Sequence, residues 1–431
     1  MRWKLAAAIC IAVAVVIGWA TGLSWRKSRA HDARIEQLAA LDARVWPLGR
    51  AIDEAADYIV RVNGPDGRFV YRRFADGRDD TSGAYSIVRH AGTIFALAEY
   101  AHSAGEGRRA RVATTIERAS TYLLARGIRP VAGRPELLAV WSDPQEEGLR
   151  RPVAKLGGAA LALVALATSA QLGGRDAGAG ASEMEAMRGL ARFICFMQRS
   201  DGAFHSQYED EKGYVGSVSS LYFPGEAVLG LTMLYEIDPD ARWREAATRG
   251  VAHLVESRRG ATTLPNDHWL MIAIARLLPH HTGVSPISSE EMLAHAIDLG
   301  RTMMREQADV LSSGGALKLS GAFDAQGAVT PASTRLEGLL ALERALAGKP
   351  EHEGVRKEVR AAIELGIAFI RRAQIQTGPG QGGFPQVVSI ATPGGASDAS
   401  VDDDSARSLE VRIDYVQHAL SALLGYEASA R

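Results

Sequence analysis

Cysteine is nearly absent from this sequence, with two residues in 431. That scarcity excludes a disulfide-stabilised scaffold and a structural zinc site built mainly from thiolates. An excess of charge is absent as well, because 49 basic side chains face 50 acidic ones. Nucleic-acid-binding domains are usually strongly basic, so we expect no nucleic-acid partner. The phosphate-binding loop, the dinucleotide glycine fingerprint and the Gly-x-Ser-x-Gly elbow are missing too, and we predict neither a cofactor nor a metal site.

The chain begins with a long apolar run. Residues 5–25 carry no charge, and about 20 apolar residues are enough to cross a bilayer as a helix. We therefore predict an uncleaved transmembrane anchor over 1–30, a helical stalk over 31–45 and a folded domain over 46–431. A cleaved signal peptide is the alternative for the first segment. The predicted location is single-pass in a bacterial inner membrane, with the folded domain on the periplasmic side.

Beyond residue 45, apolar residues recur with helical spacing, and no run is a convincing strand. The predicted helices form pairs: 46–62 with 88–103, 108–126 with 154–171, 184–199 with 224–236, 241–258 with 267–278, 289–308 with 332–347, and 354–374 with 411–427. Six successive hairpins indicate a repeat architecture rather than several independent domains.

The two helices of a pair differ in polarity. The first is amphipathic, as in 361–372, and suits a position between a core and solvent. The second is apolar on nearly every face, as in 158–168, and must be enclosed on every face. Six enclosed helices alternating with six outer ones predict an all-α fold, a closed (α/α)6 toroid of six helical hairpins. A superhelical solenoid, the alternative, would leave its concave helices polar.

A second repeat follows several of the outer helices. An aromatic or aliphatic run leads to Gln or Asn, then to Asp-Gly or Gly-Gly and an aromatic residue, in 58–69, 193–204 and 369–384. Glycine there supplies the positive φ that ends a helix and turns the chain. The pattern resembles the repeat of α/α toroids, among them six-hairpin glycosidases, polysaccharide lyases, terpenoid cyclases and prenyltransferase β subunits. The resemblance implies a toroid over about 46–428, with an active site at the mouth where the inner helices begin.

The first turns of the inner helices are polar, unlike the helices that they open. Buried charges are costly unless they are paired, so six polar starts at one end of a ring indicate a shared cavity. The candidate catalytic residues are Glu226, Asp267, His90 and Asp414. The candidate substrate-binding residues are Arg89, Tyr85, Lys155, Tyr222, His268, Trp269, Arg335, Glu337, Arg412, Tyr415 and His418. Taken singly, each has a structural alternative, such as helix capping for the two aspartates and core packing for His90.

This set of side chains leaves several reactions open. Glu226 with Asp267 or Asp414 would supply the two carboxyl groups that glycoside hydrolysis needs. A lyase or epimerase acting on a uronic acid would use histidine or tyrosine as its base and arginine or lysine to neutralise the substrate carboxylate. We therefore predict a membrane-anchored carbohydrate-active enzyme, a hydrolase, lyase or epimerase, that acts on a cell-envelope glycan. The arginines favour an acidic glycan.

Two further alternatives stay open. The first is a non-catalytic toroid that binds a glycan or an envelope protein. The second is a cyclase of apolar substrates, but arginines at the inner-helix starts argue against its aromatic cavity. The Gly-, Pro-, Ser- and Asp-rich segment 376–410 is long enough to cover the mouth.

Overall fold

The computed structural model describes residues 36–430 except 39, 104, 174–179, 282, 313–315 and 389–406. The chain divides into two compact units between Val45 and Trp46. In the first unit, residues 36–38 and 40–42 are helical. The predicted lid segment 376–410 falls largely on 389–406 and so lies mostly outside the described residues.

The predicted membrane location needs correction. Within the described ranges, no helix combines the length and the apolarity that crossing a membrane requires. The strongly apolar helix Leu156–Ala170 has 15 residues, and at about 1.5 Å per residue it is shorter than a hydrocarbon core of about 30 Å. The prediction of a single-pass inner-membrane protein is therefore wrong by this finding. The predicted anchor, 1–30, lies outside the described residues.

Twelve long helices follow Trp46 in the described part of the chain. They are α1 (Leu48–Arg61), α2 (Ile87–Ser103), α3 (Gly105–Tyr122), α4 (Leu156–Ala170), α5 (Ala181–Phe196), α6 (Phe223–Ile237), α7 (Ala241–Ser257), α8 (His268–Leu277), α9 (Ser289–Ser312), α10 (Val329–Leu346), α11 (Glu353–Ala373) and α12 (Ile413–Ser429). The six predicted hairpins are these helices taken two at a time.

The even-numbered helices close a ring. α2 packs on α4, α4 on α6, α6 on α8, α8 on α10, α10 on α12, and α12 returns to α2. The (α/α)6 toroid is confirmed, and the open solenoid is excluded. Burial explains the arrangement, because every residue of α4 from Leu156 to Thr168 is buried. In the outer helix α11, by contrast, the buried residues between Val359 and Ala373 alternate at helical spacing with half-buried and exposed ones.

The repeat of Gln or Asn followed by glycine, here called the Gln–Gly repeat, packs several outer helices against the next outer helix of the ring. After α11, Gln374 donates a hydrogen bond from Nε2 to the carbonyl oxygen of Gly382 at 3.1 Å. Gly382 has a φ of +84°, and a Cβ there would lie 2.1 Å from the carbonyl oxygen of Glu54 in α1. Only glycine permits this approach, which joins the last outer helix to the first. Gln307 and Gly321 form a further copy at 3.1 Å, which the sequence analysis missed.

The loops between helices also form strands, contrary to the sequence analysis. One antiparallel sheet has the order β2–β3–β4–β5–β6, and its strands are β2 (Ile128–Val131), β3 (Arg134–Ser142), β4 (Val153–Lys155), β5 (Gln207–Glu209) and β6 (Gly213–Tyr214). A second sheet pairs β1 (Arg72–Phe74) with β7 (Glu410–Arg412). β4 runs directly into α4 and β7 into α12. The two sheets therefore position the starts of two inner helices.

Candidate functional site

A cavity of about 1150 Å³ lies at the mouth of the ring, where the inner helices begin. All six inner helices contribute to its lining. Eleven of the residues predicted from the sequence line it: Tyr85, Arg89, Lys155, Tyr222, Glu226, His268, Trp269, Arg335, Arg412, Asp414 and His418. The structure thus brings together side chains from 85 to 418 in the sequence.

Four predicted residues lie outside the cavity lining, and His90 is one of them. Its Nδ1 lies 2.6 Å from the Tyr85 hydroxyl, and its Nε2 lies 2.9 Å from the carbonyl oxygen of Ala119. Burial lowers the pKa of His90 to about 4. Both ring nitrogens are therefore occupied, and His90 has the bonding of a structural core residue.

Asp267 is an N-cap rather than a residue of the cavity wall. Its Oδ1 accepts a hydrogen bond from the backbone N–H of Leu270 at 3.1 Å, and its Oδ2 accepts one from Arg258 at 2.6 Å. Both oxygens are satisfied, as helix capping requires. Tyr415 also lies outside the lining, where its hydroxyl donates to Glu410 at 2.7 Å.

Glu337, the fourth predicted residue outside the cavity lining, lies close to two histidines. His418 on α12 approaches it with Nδ1 at 2.9 Å from Oε2. His268 on α8 has its Nε2 3.7 Å from the same oxygen, beyond hydrogen-bonding distance. The two imidazole rings are 5.6 Å apart between centroids. Neither nitrogen of His268 has a hydrogen-bond partner in the described part of the protein.

The surroundings of the two histidines push their proton affinities in opposite directions. Burial, together with the nearby His418 and Arg335, lowers the pKa of His268 well below its usual value. Burial acts against the charged form of His418 too, but the charge and hydrogen bond of Glu337 outweigh it and raise the pKa of His418. The site therefore holds one imidazole whose neutral form is favoured beside one whose protonated form is favoured.

Asp414 binds two arginines at one side of the cavity. Arg412 donates from Nε and Nη2 to its two carboxylate oxygens at 2.6 and 2.9 Å. Arg89 places its Nε 3.0 Å from Oδ2, and it also contacts the hydroxyl of Tyr71. This arrangement fixes two guanidinium groups on the wall and neutralises part of their charge.

The other two cations of the lining have carboxylate partners that the sequence analysis missed. Lys155 binds Glu147, which lies in a helical turn before β4. Arg335 binds Glu306 of α9 at 2.8 Å, and Glu306 also accepts a hydrogen bond from Asn266 at 2.9 Å. Glu147 carried no signal, since no inner helix begins there. Glu306 lies near the end of an outer helix, where only the fold brings it to the mouth.

One group of side chains has a spacing that a metal ion can span. The ligand atoms of His268, Glu337 and His418 lie within 4.8 Å of one another. The sequence analysis predicted no metal site. In this structure the His418–Glu337 contact of 2.9 Å is a direct hydrogen bond, which is the contact that an acid–base pair needs.

Comparison with known proteins identifies the fold. No protein-family model and no curated protein matches the sequence. The solved structures include a cellobiose 2-epimerase from Bacillus thermoamylovorans (TM-score 0.59, 10% identity, 85% of this chain and 95% of that chain). A D-mannose isomerase aligns with a TM-score of 0.56 at 12% identity, over 89% of this chain and 97% of that chain.

A third similar structure is an inactive variant of an α-1,6-mannanase from Salegentibacter, with two consecutive aspartates replaced, in complex with mannotriose. It aligns with a TM-score of 0.54 at 10% identity, over 88% of this chain and 98% of that chain. At this level of identity the likeness shows a shared α/α toroid fold. It confirms the resemblance that the Gln–Gly repeat indicated.

Proposed function

We propose that the protein is a sugar epimerase or isomerase, which moves a proton at the carbon beside a sugar carbonyl group. One observation carries the proposal. Two largely buried imidazoles, His268 and His418, face one cavity, and only His418 is hydrogen-bonded to a carboxylate. Proton transfer at carbon needs a base and an acid, and two groups whose pKa values are pushed apart suit those roles.

The surroundings of the two histidines support one division of these roles. His268 is the base, because burial keeps it neutral and no protein hydrogen bond occupies its ring nitrogens. His418 is the acid, because Glu337 stabilises its protonated form. His268 takes the proton from carbon, negative charge passes to the carbonyl oxygen, and His418 returns a proton to the sugar. Glu337 acts through His418 and is a positioning residue.

The charges of the cavity favour a neutral sugar over an acidic one. Its four cations are each bound to a carboxylate: Arg89 and Arg412 to Asp414, Lys155 to Glu147, and Arg335 to Glu306. An acidic substrate would have to compete with these carboxylates for the arginines. A cell-envelope origin of the sugar stays a prediction from the sequence. The epimerase and isomerase activities of two similar structures agree with this class of substrate.

Glycoside hydrolysis is the second candidate, because two of the predicted carboxyl groups, Glu226 and Asp414, are among those that line the cavity. Two arginines already bind Asp414, which leaves it poorly placed to activate water. The similar mannanase is inactive when two consecutive aspartates are replaced. The consecutive aspartates in the described part of this chain, Asp79 and Asp80, each bind an arginine instead.

The proposal is tested with the full chain in D2O. Reducing sugars such as glucose, mannose and cellobiose are added, and proton NMR follows the signal at carbon 2 together with any new epimer or ketose. We expect deuterium to enter at that carbon. His268→Asn and His418→Asn should each slow the reaction about 10²- to 10⁴-fold, the usual contribution of a general acid or base. His352→Asn, in the turn before α11 and outside the cavity lining, is the matched control.

Other results would overturn the proposal. New reducing ends without deuterium uptake would indicate a hydrolase, and binding without turnover would indicate the non-catalytic toroid. Dialysis against a chelator should leave the rate unchanged. A rate that returns only with added metal would assign His268, Glu337 and His418 to a metal centre instead of an acid–base pair.

A further inference from the structure

Glu226 is a buried acid on the cavity wall that the proton-transfer scheme does not use. It lies in the first turn of α6, and 4% of its surface is exposed. It lines the cavity, yet its Oε2 is fully buried and has no hydrogen-bond partner in the described part of the protein. An unpartnered polar atom in such a position is costly to keep, so the site is expected to hold it for a ligand.

The space around Glu226 depends on a missing side chain. Gly157 in α4 faces it, and a Cβ at that position would lie 2.4 Å from Oε2 and 2.2 Å from the ring of Phe223. Leu161 and Trp269 line the same cavity. The carboxyl group therefore lies against an apolar wall, where the charged form is poorly solvated.

The charged groups near Glu226 do not compensate a negative charge. From α8 come Asp267, which Arg258 binds at 2.6 Å, and His268, whose neutral form is favoured. From the start of α4 comes Lys155, which is bound to Glu147. Tyr222 precedes α6. Two cations of the outer helices that pack on α6 lie at its other end, where Arg188 of α5 binds Asp238 and Arg244 of α7 donates to the hydroxyl of Tyr235. Burial, followed by the charge of Asp267, raises the pKa of Glu226 well above its usual value.

We propose that Glu226 works as a neutral carboxylic acid and donates a hydrogen bond to an oxygen atom of the bound sugar. The inference rests on the proposed function and deepens it, since it adds a binding group outside the histidine pair. A neutral donor on an apolar wall binds a hydroxyl or carbonyl oxygen. It also binds an oxygen that gains negative charge during the reaction, and more strongly than a neutral one.

The protonation state is tested by infrared spectroscopy of the full chain at neutral pH. A protonated carboxyl group has a C=O stretching band that a carboxylate lacks. We expect such a band in the unmodified protein and its loss in Glu226→Gln. Glu99→Gln is the matched control. Glu99 is hydrogen-bonded to Ser421 at 2.6 Å, burial raises its pKa to about 7, and it lies outside the cavity lining. Its replacement should leave the Glu226 band in place.

The role in binding is tested by adding sugar and by kinetics. Bound sugar should move the Glu226 band to lower frequency. Glu226→Gln keeps a neutral donor and should retain most of the affinity. Glu226→Ala should lose about 10- to 100-fold in kcat/KM, the range for one hydrogen bond to an oxygen that becomes charged during the reaction. Gly157→Ala leaves every titratable group in place but fills the space beside the carboxyl, and it should weaken binding in the same direction. Thermal melting checks that each variant is folded.

Three results would overturn the inference, and they separate it from the proposed function. No Glu226 band in the unmodified protein would mean that the group is ionised. Normal turnover with an unmoved band, or a folded Glu226→Ala variant with unchanged kcat/KM, would remove Glu226 from the site but leave the histidine pair. A protein that neither binds nor converts any sugar would overturn the proposed function, and with it the ligand of Glu226.

Discussion

Replacing Glu337 by glutamine is a direct test of how the acid at this site is made. The carboxylate lies 2.9 Å from Nδ1 of His418, and the two side chains are 5% and 13% exposed. Glutamine keeps the shape and removes the charge. A hydrogen bond to a charged group contributes about 1.5–3 kcal/mol, and one pKa unit corresponds to about 1.4 kcal/mol. We therefore expect Glu337→Gln to lower the pKa of His418 by about one to two units.

The same change should alter the pH dependence of activity in one direction only. Activity needs His418 protonated, so it is lost as pH rises through the pKa of His418. In Glu337→Gln this alkaline limb should move to lower pH by about one to two units, while the acid limb, set by His268, should stay. NMR titration of the imidazole signals gives the pKa of His418 without substrate. The rate of deuterium uptake, measured as a function of pH, locates the alkaline limb of the activity profile.

A second buried carboxylate supplies the control. Glu343 lies on the same helix as Glu337 but binds Arg360 at 3.5 Å and is outside the cavity lining. Glu343→Gln should leave the pKa of His418 and both limbs unchanged. An unshifted His418 in folded Glu337→Gln would refute the argument that Glu337 sets its protonation. An equal shift in both variants would point to a general field effect instead.

Two further predictions concern stability. Gly382→Ala places a Cβ 2.1 Å from the Glu54 carbonyl oxygen at a φ of +84°, and it should lower the free energy of unfolding by more than about 2 kcal/mol in urea denaturation. The control is Gly107→Ala in α3, which has open space around it and should not destabilise the protein. Equal effects of the two changes would contradict the role of the repeat. Burial lowers the pKa of His90 to about 4 in the folded protein, so His90 binds a proton less readily there than in the unfolded chain. Its contribution to the free energy of unfolding is therefore complete above about pH 6.5 and falls by up to about 3 kcal/mol as the pH drops toward and below 4. The stability difference between the unmodified protein and His90→Gln should therefore shrink between pH 7 and pH 4.5, and a constant difference would contradict this account.

The fold was predictable because polarity is distributed regularly along the helices. A helix buried on every side, such as α4, can be recognised from its sequence, and six of them require a closed ring. The sheet was not predicted, because β3 (Arg134–Ser142) has a buried half without alternation. The available signal was Gly133, which has a φ of +72° between β2 and β3 and is typical of a hairpin turn.

The sequence predicted where in the fold the site lies but not how its side chains are arranged for chemistry. Asp267, His268 and Trp269 are consecutive, and successive residues of a helix point about 100° apart, so the sequence does not tell which one faces the axis of the ring. Only the packing turns His268 to the histidine pair and Asp267 to the helix cap. Glu337 and His418 are 81 positions apart, and no local pattern announces their contact.

The cavity groups that have no hydrogen-bond partner in the protein indicate which ligand the cavity suits. Its four lysine and arginine cations are already bound to three carboxylates, with which an acidic ligand would have to compete. Two titratable side chains of the described lining, His268 and Glu226, have buried polar atoms without hydrogen-bond partners and no counter-charge bound to them, and their surroundings favour the neutral form of both. In the proposed reaction His268 accepts a proton and Glu226 donates a hydrogen bond. A ligand that carries no charge and has hydrogen-bond donors and acceptors close together suits both groups, and this fits the neutral sugar of the proposed function better than a uronate or an apolar substrate.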